Sequence, residues 1–209
     1  MTVVLDLDET LVCAYSRNNV PADLLYSSAK SFEVSCVLGN GRMGDVVVFP
    51  RPGVQAFLES LAEFAELILF TAGHPGYAQL VIEMLDPDNR LFAAKLYRPE
   101  TVRTHMQDYV KDLRRVGRCL SRTVLVDNDP FSGLLQPCNV VPARPFYGDP
   151  HDRQLMRDLL PFLRGLSTLP DVRPTLAESF NVPEYFSRHG YCLYEDASGY
   201  LTAAATIIS

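Results

Sequence analysis

Short apolar runs that stop abruptly at oxygen-bearing side chains are the feature that most constrains the fold of this chain. Val3-Val4-Leu5 runs into Asp6-Leu7-Asp8-Glu9-Thr10, residues 67–70 into Thr71, and residues 123–126 into Asp127-Asn128-Asp129. Such runs are typical of strands buried on both faces in a parallel sheet. Ligands bind beyond the carboxyl ends of these strands. The pattern therefore predicts an α/β fold with one polar site at that edge of the sheet.

Asp6 and Asp8 follow the first predicted strand at a spacing of two. Residues at this spacing on an extended segment project to the same side, so both carboxylates converge on one metal or one substrate atom. Two such charges about 4 Å apart repel by roughly 4 kcal/mol at an effective dielectric of about 20, so the pair needs a cation or a shared proton. A solvated acidic turn is the structural alternative. The later polar clusters, in the chain order of a single phosphate site, favour catalysis.

Structural alternatives also exist for the polar groups after the other two strands. Thr71 could be a strand-end hydroxyl that caps the helix opened by Pro75, a role compatible with a place in the site. Asp127 and Asn128 could form a turn, since both residue types favour turns for backbone reasons. Their position after a further apolar run makes the turn the weaker explanation.

Lys111 is the cation that accompanies these oxygen-bearing clusters. It could belong to the solvated face of a short helix, but its motif context favours a place in the site. For the three arginines that follow, the solvated face is the favoured interpretation. They are Arg114, Arg115 and Arg118.

Composition limits the class of protein. With 209 residues, of which 47% are hydrophobic and 21% charged, the chain can bury a core without disulfides. Its net charge of −6 does not suggest direct nucleic-acid binding or attraction to an anionic membrane. Five widely spaced cysteines fit reduced thiols inside a cell. We find no leader or membrane-span pattern, and expect a soluble intracellular protein, nuclear or cytoplasmic.

Further patterns predict the remaining elements. A β-hairpin is expected at about 32–49, around a glycine-rich loop at 39–45, and is followed by a helix with its buried stripe at Val54, Phe57, Leu58, Leu61 and Ala65. A small insertion is expected at about 91–107. Asp149-Pro150 offers the start of a helix that buries Leu155, Met156, Leu159, Leu160, Leu163 and Leu166. Residues 168–209 are expected to form a C-terminal extension packed on the same domain, with a terminal hairpin of residues 190–194 and 200–206.

Four segments resemble the motifs of haloacid dehalogenase (HAD) superfamily phosphatases. They are Asp6-Leu7-Asp8-Glu9-Thr10-Leu11-Val12, Phe70-Thr71-Ala72, Tyr109-Val110-Lys111-Asp112-Leu113 and Val126-Asp127-Asn128-Asp129-Pro130. Flanking segments narrow the resemblance to the FCP/SCP branch, the NLI-interacting-factor-like, CTD-phosphatase-like enzymes. They are Arg51-Pro52-Gly53-Val54, Leu85-Asp86-Pro87, Leu91-Phe92 and Asp158-Leu159-Leu160-Pro161-Phe162-Leu163. The resemblance covers residues 1–167 and implies a HAD-like Rossmannoid three-layer fold with a mostly parallel central sheet, a β-hairpin insertion and no large cap domain.

A phosphate ester entering this site would meet an excess of negative charge from Asp6, Asp8 and Asp127, which a divalent cation and Lys111 must offset. Mg²⁺ is the predicted cofactor, because it prefers oxygen ligands and commonly binds one or two carboxylates plus phosphate oxygens. Zinc is disfavoured, since the four histidines are scattered and no CxxC pair occurs.

Within this arrangement Asp6 is the predicted nucleophile, which forms an aspartyl phosphate. Asp8 is the predicted acid that protonates the leaving alkoxide and the base that then activates water. The resemblance implies that the metal lies at Asp6, Asn128 and the main-chain carbonyl of Asp8. Asp127 would act nearby, through water or by orienting Lys111.

The predicted phosphate-binding residues are Thr71, Lys111 and Thr10, of which Thr10 would also steady the first loop. The resemblance implies a phosphoserine or phosphothreonine substrate in a protein or peptide, often beside proline as in the RNA polymerase II C-terminal repeat. Arg98 matches a family position that touches the substrate backbone. Because Pro99 and Gly73-His74 depart from the usual residues of the small C-terminal-domain phosphatases, the peptide preference is not carried over.

Arg103 and His105 are further candidates for anion contact, with exposed loop charges as an equal alternative. Three functions stay open: a protein serine/threonine phosphatase, a hydrolase of a small phosphate ester, and a noncatalytic binding module as in the related mitochondrial import receptor subunit. Six intact residues argue against the third: Asp6, Asp8, Thr71, Lys111, Asp127 and Asn128.

Overall fold

The structure is a computed structural model that describes residues 1–37, 41–197, 199–204 and 207–208. In chain order its strands are β1 Thr2–Leu5, β2 Val12–Ser16, β3 Phe32–Val37, β4 Met43–Pro50, β5 Glu66–Phe70, β6 Phe92–Leu96, β7 Arg103–Thr104, β8 Thr123–Asp127, β9 Val140–Pro142, β10 Leu193–Glu195, β11 Leu201–Ala203 and β12 Ile207–Ile208. Its α-helices are α1 Ala22–Leu25, α2 Val54–Ala62, α3 Pro75–Leu85, α4 Leu160–Ser167, α5 Arg173–Phe180 and α6 Val182–Arg188.

Five strands in the order β6-β5-β1-β8-β9 form the central sheet, and all of its pairings are parallel. Both β1 and β8 are buried along their whole length, as strands covered on both faces must be. The predicted α/β fold is therefore confirmed. The carboxyl ends of β5, β1 and β8 lie side by side, so the residues that follow them meet at one edge of the sheet.

The segment predicted as a small insertion at about 91–107 is divided between two places. β6 pairs with β5 and forms one edge of the central sheet, whereas β7 lies outside that sheet. Two of the five residues of β6, Ala93 and Ala94, are exposed, because an edge strand is covered on fewer sides than a central one. β6 thus belongs to the core sheet rather than to an insertion.

β3 and β4 form the predicted antiparallel hairpin, and β2 pairs with the other side of β4. β3 buries Val34 and Cys36 and exposes Glu33, Ser35 and Val37, as a strand with one covered face does. Part of the predicted glycine-rich loop, residues 39 and 40, lies outside the described residues.

Two helices follow their predicted patterns closely. α2 buries Val54, Phe57, Leu58 and Leu61, although it ends before Ala65. α3 begins at Pro75, a position where the missing N–H of proline costs no helical hydrogen bond. All five cysteines are free thiols.

The helix predicted to begin at Asp149-Pro150 begins several residues later. Asp149 accepts a hydrogen bond from the N–H of His151 in a local turn, and the helical segment opens with a π-helical turn at Leu155–Leu159 that continues into α4. The carboxylate of Asp152 accepts from the N–H of Gln154, just before this segment. Met156 is 39% exposed, so its predicted place on the buried stripe was wrong; the later start and the wider π turn shift the buried face.

The C-terminal residues pack against the central sheet. Val182 and Phe186 of α6 and Ala203 of β11 lie in one buried apolar cluster with Val4 and Leu125. β10 pairs antiparallel with β11 over fewer residues than the predicted terminal hairpin; Ser198, Ala205 and Thr206 lie outside the described residues. Within the described ranges, no helix is long and apolar enough to cross a membrane.

Candidate active site

The three neighbouring strands β5, β1 and β8 bring their terminal polar residues to one place. Leu5 pairs with Leu69 on one side and with Val126 on the other. Consequently Asp6, Thr71 and Asp127 stand together at the carboxyl edge of the sheet. All three are buried, although each is a polar residue that could stay in water. Burial of this kind requires hydrogen-bonding or charged partners.

Lys111 supplies that partner for two of the carboxylates. Its Nζ donates to Asp6 Oδ1 at 2.5 Å and to Asp127 Oδ2 at 2.6 Å, and the lysine side chain is only 1% exposed. The other oxygen of Asp127 accepts from the N–H of Asp129. Both carboxylate oxygens of Asp127 therefore accept a hydrogen bond from within the protein.

The electrostatics of this cluster show an excess of negative charge. Burial alone would lower the pKa of Lys111, but Asp127 and Asp6 outweigh burial and raise it. Burial, supported by the charge of Asp6, raises the pKa of Asp127 to about 7 although Lys111 opposes the shift. Both pKa shifts favour the protonated forms, but their causes differ: for Asp127 burial is the largest, whereas for Lys111 the two neighbouring carboxylates outweigh burial.

Asp8 lies at the mouth of the site, half-buried. Its carboxylate accepts a hydrogen bond from the hydroxyl of Tyr77 at 2.7 Å and a long one from Thr71 Oγ1 at 3.5 Å. Burial, followed by the charge of Asp6, raises the pKa of Asp8 to about 6. A carboxyl group in this setting can exchange a proton near neutral pH, as an acid and base must.

Thr71 Oγ1 also accepts from the N–H of Gly73. It therefore does not cap α3, whose N-cap is His74. Instead of the helix cap that the sequence left open, Thr71 makes a hydrogen bond within the turn before α3.

Thr10 and Glu9 hold the side chain of Asn128. The hydroxyl of Thr10 donates to Asn128 Oδ1 at 3.1 Å and accepts from the Asn128 N–H at 3.2 Å. Glu9 Oε2 accepts from Asn128 Nδ2 at 3.1 Å. Both the oxygen and the nitrogen of the side-chain amide are therefore hydrogen-bonded. Thr10 is fully buried, and this placement favours steadying the loop over contact with phosphate.

Two of these partners, Tyr77 and Glu9, were missed in the sequence. Glu9 stands inside the first motif, and its place beside Asp8 was a signal for a role in the site. Its backbone is left-handed, with φ of 60°, a conformation that costs free energy for a non-glycine residue and is concentrated at functional sites. Tyr77 gave no such signal, because only the packing of α3 against the site brings its hydroxyl to Asp8.

The donors present fit a hard divalent cation. Asp6 offers a carboxylate oxygen and Asn128 an amide oxygen, and the main-chain carbonyl of Asp8 is the third oxygen that the resemblance implies. Oxygen donors with spare negative charge are what Mg²⁺ prefers. Among the residues that the structure describes, no three His, Cys, Asp or Glu side chains form a metal-binding group. A cation here would therefore depend on the amide and carbonyl oxygens as well as on carboxylates.

A cavity of about 320 Å³ opens beside Asp8, and its lining includes Cys36, His74 and Arg98. Arg98 is fixed at this rim, since its Nε donates to the carbonyl of Ala72 at 2.5 Å. Its guanidinium lies 3.0 Å from His74 Nε2 and stacks over the ring of Tyr109 at 4.5 Å. Arg98 and Asp8 thus line the same cavity.

The other candidate cations stand elsewhere. Arg103 pairs with Asp108 on the surface, and neither Arg103 nor His105 lines the cavity beside Asp8. Arg114 pairs with Asp112 and Arg118 with Glu66. Arg115 is exposed as well. These arginines occupy a solvated surface, which is the interpretation that the sequence favoured.

Comparison with known proteins identifies relatives over most of the chain. The sequence model of the NLI interacting factor-like phosphatase family matches residues 1–173. The human CTD small phosphatase-like protein is 39% identical over 170 residues, which are 81% of this chain and 57% of the relative. The human carboxy-terminal domain RNA polymerase II polypeptide A small phosphatase 1 is 38% identical over 176 residues, which are 84% of this chain and 63% of the relative. This chain spans about three-fifths of the length of these two relatives.

A solved structure shares the fold. The fission yeast RNA polymerase II CTD phosphatase Fcp1 bound to beryllium fluoride matches with a TM-score of 0.56 at 21% identity, covering 90% of this chain and 56% of that one. At this identity the likeness shows the fold alone. It confirms the HAD-like architecture.

Proposed function

The chain belongs to the NLI interacting factor-like phosphatase family, and from that premise we propose that it is a Mg²⁺-dependent phosphatase of phosphoserine or phosphothreonine in proteins. The observation that carries the proposal is the buried Lys111, bound to Asp6 and Asp127 while Asp8 stands beside them. A nucleophile, a phosphate-binding cation and an acid thus share one edge of the sheet. Such a set has the parts that phosphoryl transfer requires.

Asp6 acts as the nucleophile. A carboxylate oxygen of Asp6 attacks phosphorus in line, and the bond from phosphorus to the serine or threonine oxygen breaks. Asp8 gives its proton to that leaving oxygen. Water then attacks the phosphorus of the aspartyl phosphate while Asp8 takes up a proton from it, which releases inorganic phosphate, restores the Asp6 carboxylate and returns Asp8 to its protonated form.

The remaining residues bind and orient. Lys111 holds Asp6 and offers positive charge to the phosphate oxygens, while Asp127 keeps Lys111 in place. The hydroxyl of Thr71 binds a phosphate oxygen. Asp6, Asn128 and the Asp8 carbonyl would hold the cation, which when bound would offset the charge of the entering phosphate. We assign Thr10 to orienting Asn128 rather than to binding phosphate.

A phosphorylated side chain on a protein fits this site because the cavity beside Asp8 is open. Among the described residues, no separate domain covers it. Arg98, fixed beside Asp8, is positioned to contact the substrate backbone. Turnover of a metabolite in preference to phosphopeptides would assign the chain instead to hydrolysis of small phosphate esters. A phosphopeptide array run beside a panel of phosphorylated metabolites makes this distinction.

The first test is hydrolysis of p-nitrophenyl phosphate. We expect turnover that requires Mg²⁺, is lost on chelation and is abolished by Asp6→Asn. Asp158→Asn is the matched control, because Asp158 is an exposed carboxylate paired with Arg144 on the surface, and it should keep wild-type turnover. Unchanged activity in Asp6→Asn would refute the assignment of the nucleophile.

A further inference from the structure

The C-terminal residues that follow the family match reach back to the candidate active site. Phe131, three residues after Asn128, lies against four rings from residues 185–191. It stacks on Phe186 with centroids 5.1 Å apart and an interplanar angle of 11°. The other three rings have their centroids 5.0–5.8 Å away, at Tyr185, His189 and Tyr191. We call Phe131 with these four rings the aromatic clamp.

In the loop that carries Asn128, Thr10 and Glu9 hold Asn128 itself, whereas the backbone N–H groups of the residues after it make short-range bonds. The N–H of Asp129 bonds to Asp127 Oδ1, and the N–H of Phe131 bonds to Asp129 Oδ1. The N–H of Ser132 bonds to the carbonyl of Asp129. Turns of this kind are local and open easily unless tertiary contacts fix them. Phe131 is the side chain of this loop that enters a large ring cluster.

The same loop also holds the catalytic lysine segment. The carbonyl of Ser132, next to Phe131, accepts from the N–H of Lys111 at 2.7 Å. Movement of Phe131 would therefore displace both Asn128 and the backbone of Lys111.

The C-terminal residues also contact the segment that follows the loop, at Leu134 and Leu135. Thr202 Oγ1 donates to the carbonyl of Leu135 at 2.5 Å, and the N–H of Ala203 donates to the carbonyl of Leu134 at 3.4 Å. Phe186 is fully buried in the apolar cluster that contains Leu134 and Leu135. The C-terminal residues thus cover the segment after Asn128 at several successive points.

We propose that residues 182–197 and 199–203 are a positioning element, which through the aromatic clamp fixes the loop 128–132 and with it Asn128 and Lys111. Phe131 and Phe186 are positioning residues in this proposal, since neither reaches the reacting atoms. The catalytic consequence rests on the proposed function, whereas the fixing of the loop does not.

Hydrogen exchange of the metal-free protein tests the structural claim directly. Phe131→Leu removes the ring, Phe131→Tyr keeps it, and Phe180→Leu is the matched control. Phe180 also joins the C-terminal residues to the domain through a ring contact, with Phe162, but it is not part of the aromatic clamp. In Phe131→Leu we expect the backbone amides of residues 128, 129, 131 and 132 to exchange about tenfold faster, with β1 unchanged. Phe131→Tyr and Phe180→Leu should exchange as wild type in that loop.

The proposal is overturned if exchange in the loop stays at the wild-type rate in Phe131→Leu, if it rises equally in β1, or if Phe180→Leu raises it as much. A second readout is the Mg²⁺ concentration that half-saturates the thermal shift, with kcat and KM for p-nitrophenyl phosphate. Phe131→Leu should raise that concentration and lower kcat, each about fivefold, with a smaller change in KM. If wild type shows neither a Mg²⁺ response nor turnover, the proposed function fails, and the exchange rates still decide the positioning claim.

Discussion

Replacement of Lys111 by methionine tests the buried charge cluster at the centre of the site. Methionine has a similar length but no charge, so Lys111→Met leaves Asp6 and Asp127 buried without their ammonium partner. At the separations of 2.5 and 2.6 Å, each ion pair is worth roughly 6 kcal/mol at an effective dielectric of about 20. Desolvation of the three charges offsets most of this. Breaking a buried pair by removing one partner typically costs about 3–5 kcal/mol.

We therefore expect Lys111→Met to lower the free energy of unfolding by about 4 kcal/mol at pH 7. The loss is not larger because Asp127, whose pKa is already raised to about 7, takes up a proton when its partner is removed. Adding Asp127→Asn to Lys111→Met removes one stranded carboxylate and should restore roughly 2 kcal/mol. Lys30→Met, at an exposed lysine, should change stability by less than about 0.5 kcal/mol.

Urea titration followed by far-ultraviolet circular dichroism, in chelator, measures these values in a chain that contains no tryptophan. A loss below about 1 kcal/mol in Lys111→Met would refute the reasoning. So would a further loss on adding Asp127→Asn.

Two other predictions concern stability away from the reacting groups. Gly133→Ala should lower the unfolding free energy by about 2 kcal/mol, because a Cβ there would lie 2.2 Å from Val140 Cγ2; Val140→Ala should recover part of it, and an unchanged urea midpoint would contradict the close packing. Hydrogen bonds from Arg173, helped by Tyr200, lower the pKa of Asp171 from 3.8 to about 2, so its stabilisation is present above pH 3.8 and is lost as the pH falls through about 2. The deficit of Asp171→Asn in urea titrations, less than about 1 kcal/mol after solvent screening, should shrink over that window, and growth of the deficit on acidification would show that the sign is wrong.

The sequence was sufficient for the strands that carry the site because the signals for β1, β5 and β8 are local. Each is a short apolar run buried on both faces, and each ends at an oxygen-bearing side chain. The edge strand β6 lacks this signal, since Ala93 and Ala94 face solvent. Its pairing with β5 depends on a neighbour that its own composition does not reveal.

The start of the C-terminal helical segment shows how tertiary contacts override local capping signals. Asp149-Pro150 has the chemistry of a helix start, but the helix begins after Asp152. The reason is the buried Arg51, which binds Asp152 through two hydrogen bonds and also bonds to Gln154. These partners lie about a hundred positions from Arg51 along the chain, and no local pattern connects them.

The candidate site likewise combines residues that the sequence predicted with contacts that only the fold creates. Asp6, Asp127 and Lys111 were predicted as members of one site, and the structure brings them into direct contact. The hydrogen bond from Tyr77 to Asp8 arises from helix packing, so the sequence could not indicate it. Thr10 was predicted near phosphate, whereas its side chain is buried against Asn128, a contact that only the folded loops create.

The most direct test of the account is to identify the residue that carries the phosphoryl group during turnover. Wild-type protein is mixed with Mg²⁺ and p-nitrophenyl phosphate, quenched in acid and reduced with borohydride, which converts an aspartyl phosphate to homoserine. Peptide mass spectrometry should find homoserine at position 6 when substrate is present, and none without substrate or in Asp6→Asn. Sustained turnover with position 6 unmodified, or a phosphoryl group trapped on another side chain, would contradict the account.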